Sequence, residues 1–120
     1  MELPKRKTEL RVTVEPGVIA VLRTLTAKEL AKVWEESAPQ LVEGQEEAVQ
    51  MGLRVPLAAM VGLFETHVTG FEGEDAPTFD GEPFKAGDED HVARLRPTWK
   101  ITGGSELVTD ALMTGAVRGN

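Results

Sequence analysis

Apolar and polar residues alternate along Leu10-Arg11-Val12-Thr13-Val14, the period-two pattern of a half-buried strand. Glu15-Pro16-Gly17 follows. Proline presets the first central position of a turn and glycine supplies the positive φ of the second, as a type II turn requires. Val18 to Leu22 is apolar and rich in branched side chains, so 9–24 reads as a β-hairpin. The period then lengthens. Thr26-Ala27-Lys28-Glu29 fits a capping box, in which a hydroxyl and a carboxylate satisfy the free amides of a helix start. Leu30, Val33 and Trp34 recur at helical spacing behind it, and Pro39 closes that helix.

Gln40 to Met51 reads as a second helix with Leu41, Ala48 and Met51 on one side, although Gly44 weakens it. Pro56 suits the first turn of a third helix, Leu57 to about Val68. It is apolar nearly all round and is expected to be the most buried element. Asp88 to Arg96 reads as a short helix with acids at its start and arginines at its end, in accord with the helix dipole. Pro97 stops it. Ser105 can cap a last helix over 106–114, with Leu107, Val108, Ala111 and Leu112 as its apolar face and Gly115 as its stop. The expected fold class is α+β: an N-terminal β-hairpin, then a mostly helical single domain over 9–115. A flexible arm (1–8) and tail (116–120) flank it.

Between the third and fourth helices lies Glu72 to Asp90. Its eight carboxylates against one lysine account for the net charge of -7 of all 120 residues. Three glycines and two prolines in that stretch break any long ladder or helix. Phe79 and Phe84 give it apolar anchors that a purely solvating loop would not need. It is expected to be a solvated linker pinned at those two rings, so deleting 74–87 would cost solubility or partner choice more than the fold.

The acidic pI of about 4.8 argues against sequence-independent nucleic-acid binding, which needs a positive face. No apolar run is long enough to span a bilayer, and no apolar stretch follows the basic residues of 1–7 as a signal peptide would require. A soluble, cytoplasmic protein is expected. Without cysteine there is no thiol nucleophile, disulfide or zinc-thiolate site.

The two histidines flank the acidic stretch and could join its carboxylates at a metal. Their spacing matches no ligand pattern, and His67 reads better as the end of a buried helix, His91 as a surface residue of a first turn. A calcium loop read from Asp75 places Phe79 where a ligand belongs; a looser cation site at Asp88 and Asp90 stays open. Gly103-Gly104-Ser105 could hold an anion on helix amides, but reads more simply as the end of a loop. Trp34 and Trp99 read as core or interface anchors. No catalytic residue, metal ligand or cofactor is assigned, and no enzyme is expected.

Arg23-Thr24-Leu25-Thr26-Ala27-Lys28-Glu29-Leu30 after a short hairpin, and later Gly70-Phe71-Glu72-Gly73 before a loop rich in Asp, Gly, Glu and Pro, occur in a recognisable order. That order resembles the small tail assembly chaperones of long-tailed bacteriophages. Many of these carry an "R-x-L-T-A-x-E" helix start and a "G-W-E-G" phrase. The likeness covers 9–114; here Phe71 stands in place of the Trp, and the acidic insertion is longer. The resemblance implies a non-enzymatic protein that binds the tape measure protein and brings tail tube subunits to it. Some members have a frameshifted longer form. Its partner-binding surface would be grooves lined by Leu30, Val33, Trp34, Leu41, Met60 and Phe64, with Phe79 and Phe84 as further anchors. A homo-oligomer is compatible with this reading. The alternatives are a structural virion protein (a neck, tube or capsid-decorating subunit) and, further off, a small metal-dependent enzyme or cation-binding module.

Overall fold

The computed structural model describes residues 8–37 and 55–118. Strands β1 (Glu9–Glu15) and β2 (Val18–Arg23) form the expected antiparallel hairpin around Pro16-Gly17, with Gly17 at φ +82°. Val12 faces Ala20 in the register, and a bulge lies between Thr13 and Glu15. Helix α1 (Ala27–Ser37) begins at the expected capping box. The Thr26 amide donates to Glu29 Oε1 at 2.8 Å, and the Glu29 amide donates to Thr26 Oγ1 at 3.1 Å. The helix proposed over 40–51, Leu41 with it, and the arm 1–7 lie outside the described residues.

Helix α2 (Leu57–His67) starts after Pro56 and stops one residue short of the expected end. Val68 belongs instead to a strand that the hydropathy pattern did not reveal, β3 (Val68–Glu72), antiparallel to β2 in the order β1-β2-β3. Ala20 pairs with Phe71 and Leu22 with Val68; Val68 is buried in the core and the Phe71 ring meets Trp99 of the last helix. The expectation that α2 is the most buried element is overturned. Only Phe64 and His67 are buried on it, and Leu57 is 61 % exposed. The central strand takes that place, with Val18, Ala20 and Leu22 at 1 % exposure or less. A middle strand is covered by a strand on each side and by helices on its inner face, whereas α2 is an outer-layer helix.

The acidic stretch is folded, contrary to a mere solvated linker. Strands β4 (Thr78–Phe79) and β5 (Glu82–Pro83) pair across Asp80-Gly81. Both turn residues have positive φ (56° and 87°), the conformation that favours Asp-Gly in a two-residue hairpin. Phe79 is buried at 4 % exposure, and Phe84 packs partly buried against the core, so the two predicted pins hold. Rings continue the contact inward: Phe79 to Phe84 at 5.9 Å, Phe84 to Phe71 at 5.3 Å, and Phe71 to Trp99 at 5.7 Å. At the other end, the Asp75 amide donates to the Gly17 carbonyl at 2.9 Å, which seats the turn after β3 on the hairpin tip.

Helix α3 (Glu89–Arg94) is capped by Asp88 and ends earlier than Arg96. The last helix differs most from expectation. Helix α4 (Pro97–Arg118) begins at Pro97, where a proline without an amide is tolerated in a first turn, and runs straight through Gly103-Gly104-Ser105 and past Gly115. Ser105 is therefore no cap, the glycine pair is neither a loop nor an anion cradle, and 116–118 are helical. The reason lies on α2. A Cβ on Gly103 would collide with the Phe64 ring, and one on Gly104 with the Met60 carbonyl oxygen. The two glycines let α4 pack backbone-close against α2.

The architecture is thus α+β, a three-stranded sheet with α2 and α4 on its inner face. Three polar contacts fix the start of α4. Trp99 Nε1 donates to Glu15 Oε1 at 2.7 Å, where Arg96 Nη1 also donates at 3.1 Å. Lys100 Nζ, nearly buried, meets Glu65 Oε2 of α2 at 2.7 Å. Among the described residues no helix is long and apolar enough to cross a membrane.

Candidate functional site

The densest set of polar contacts joins α1 to the end of α2. Glu29, already engaged in the capping box, sends Oε2 to His67 Nε2 at 2.9 Å. Arg23, the last residue of β2, lies 3.4 Å from both carboxylate oxygens. Burial works against the ionised form of Glu29. The Thr26 amide, the Arg23 guanidinium and His67 outweigh it and hold this carboxyl down to about 2, from an ordinary 4.5.

His67 is 3 % exposed. Its Nδ1 sits 2.8 Å from the Leu63 carbonyl and 2.8 Å from Thr66 Oγ1. A carbonyl and a carboxylate only accept, so each ring nitrogen faces an acceptor, one on α2 and one on α1. Thr66 in turn donates to the Gly62 carbonyl at 3.0 Å. By distance alone Thr66, His67 and Glu29 resemble a nucleophile–base–acid relay. The partners say otherwise: the Thr66 hydroxyl donates to the Gly62 carbonyl, and the Nδ1 side of the ring faces the Leu63 carbonyl, so no hydroxyl proton is poised toward the ring. The arrangement is built to hold α1 against α2.

Beside this clasp runs a groove of about 370 Å³ between the two helices. Ala59, Gly62 and Leu63 supply its apolar lining above the buried Val33, and Lys32, Glu29 and Thr66 its polar edge. Among the described residues nothing lies within 4 Å of where a Gly62 Cβ would stand, so none of them closes that side of α2.

The residues proposed to bind a partner do not form one surface. Val33 (3 % exposed), Phe64 (0 %) and Phe79 (4 %) are core side chains and present nothing to a partner. Leu30, Met60 and Phe84 are partly buried, Leu30 and Phe84 against that core. Trp34 alone among the described ones is open, at 51 %, so it is no core anchor; Trp99, at 6 %, is one. Leu57 and Met113, exposed at 61 % and 64 %, were not singled out by the sequence. Their positions in apolar helical runs gave no sign of exposure.

The two histidines do not meet the acids as metal ligands would. His91 is not the expected surface residue: its ring stacks on Phe79 at 4.3 Å, and its Nδ1 accepts from the Lys85 amide at 3.0 Å. Asp88 caps α3, and the His91 amide, donating to it at 3.1 Å, keeps its carboxyl below the ordinary range. Asp90 faces Arg94 at 3.6 Å, which also reaches Asp80 at 3.2 Å. Among the described residues no three His, Asp or Glu side chains converge on a point where an ion could sit. Comparison of the chain with protein-family models, with curated proteins and with solved structures found no match.

Proposed function

We propose that the chain is a non-enzymatic binding protein, a tail assembly chaperone of a long-tailed phage. It holds apolar helical segments of the tape measure protein and recruits tail tube subunits in the cytoplasm of the infected bacterium. The observation that carries this reading is Trp34, a large apolar ring half open to solvent on a helix whose other large apolar residues, Leu30 and Val33, are packed. Large aromatic side chains left open in this way are common anchors for apolar partners. The order of motifs supports it further: the Arg23-to-Glu29 phrase forms a real capping box and ion pair at a helix start. Gly70-Phe71-Glu72-Gly73 leads from a strand into the acidic lobe.

Co-expression tests the reading directly. A tape measure fragment that precipitates alone should stay in solution with this chain, and should precipitate again with Trp34→Ala. Purified virions should lack the protein. Its presence at fixed stoichiometry in mature particles would replace the chaperone reading with that of a structural virion subunit.

A further inference from the structure

We propose that copies of this chain associate head to tail, the α1–α2 groove of one copy receiving the acidic lobe (Glu72 to Asp90) of the next. This surface is separate from Trp34, since two residues apart on a helix means about 160° around its axis from Lys32.

Charge divides the molecule in two. All of its excess negative charge lies in the lobe. Several of those carboxylates are spent within the chain: Glu72 on Arg11, Asp80 and Asp90 on Arg94, and Asp88 on the α3 cap. Glu74, Glu82 and Glu89 are exposed and have no partner among the described residues. They stand on the turn after β3, on β5 and on α3.

The groove offers the opposite sign. Lys32 lines it, and Lys28, one turn earlier, rises on the same side of α1. Both are exposed and neither has a carboxylate partner among the described residues. The groove's own carboxylate, Glu29, is already paired with Arg23 and hydrogen-bonded to His67. Glu35, two turns beyond Lys28, is not part of the lining. A part-exposed apolar floor of Ala59, Gly62 and Leu63, edged by two ammonium groups without a carboxylate partner among the described residues, complements an acidic segment, and this chain carries one. Two different surfaces meeting in this way make a heterologous contact, which propagates into rings or strings rather than closed dimers.

Sedimentation velocity at about 0.01 M and about 1 M salt tests this, because screening shortens from about 30 Å to about 3 Å over that range. The full chain should associate in low salt and dissociate in high salt. Lys28→Glu/Lys32→Glu and Glu74→Lys/Glu82→Lys/Glu89→Lys should each be monomeric alone in low salt, with unchanged far-ultraviolet circular dichroism. Mixed in equal amounts the two variants should associate again, since each reversed groove then meets a reversed lobe. Should either reversal unfold the chain, the neutral pair Lys28→Gln/Lys32→Gln should still weaken association by at least about tenfold. A wild-type chain monomeric at all concentrations in low salt overturns the proposal. So does association indifferent to the reversals, a mixture that stays monomeric, or a groove that takes an acidic peptide while the chain does not self-associate.

Discussion

Glu29 Oε2 and His67 Nε2 lie 2.9 Å apart and join the first turn of α1 to the last residue of α2, across 38 positions of sequence. One carboxylate thereby completes a helix cap, meets Arg23 and holds a buried imidazole. Glu29→Ala should lose all three and cost about 2–4 kcal/mol in urea unfolding, from a lost cap and a buried donor left without its acceptor. Glu29→Gln keeps a side chain able to cap and should cost less. Thr26→Ala should cost about 1 kcal/mol.

The same carboxylate sets an acid limb. Its folded value of about 2 lies below the ordinary 4.5, so in acid the unfolded chain takes up the proton first. The stability Glu29 supplies is complete above about pH 4.5 and is lost as pH falls toward about 2. Melting temperature measured across that window should fall more steeply for the wild type than for Glu29→Gln. Parallel curves would show that Glu29 contributes nothing there.

Glycines on facing helices should respond with opposite signs. Gly104→Ala drives a methyl group into the Met60 carbonyl and should destabilise by about 1–3 kcal/mol. Gly62→Ala meets nothing among the described residues and should stabilise by up to about 1 kcal/mol through helix propensity. Chemical denaturation of the two variants separates a packing requirement from a general dislike of glycine in helices.

Phe79→Ala removes a buried ring from the acidic lobe and should cost about 3–5 kcal/mol. Deletion of 74–87 removes Phe84 as well and should lower the melting temperature of the whole fold, not solubility alone. A deletion variant that melts like the wild type would return the lobe to the status of a linker.

What could be read from the sequence was local. The hairpin was visible because Pro16-Gly17 states its turn chemistry within two residues. The start of α1 was visible because Thr26 and Glu29 satisfy each other's amides. Where the partner is distant, reading failed. Gly103-Gly104 looks like a loop until Phe64 and Met60 stand opposite it. Val68 looks like helix until Leu22 pairs with it, since no glycine or proline marks the change from α2 to β3. The clasp was out of reach for the same reason: neither Glu29 nor His67 is unusual alone. The partner residues divided on this line too, since helical spacing named an apolar stripe but could not say that Val33 and Phe64 are inside and Trp34 outside.

The bond from Trp99 to Glu15 spans 84 positions. Synthesis makes the hairpin about 80 residues before the α4 residue that completes the cover of its inner face, and such distant closure slows folding. During that interval the nascent chain displays the very apolar strand that is most deeply buried in the finished protein. Timing, as much as sequence, then decides whether β2 meets α4 or a neighbouring chain.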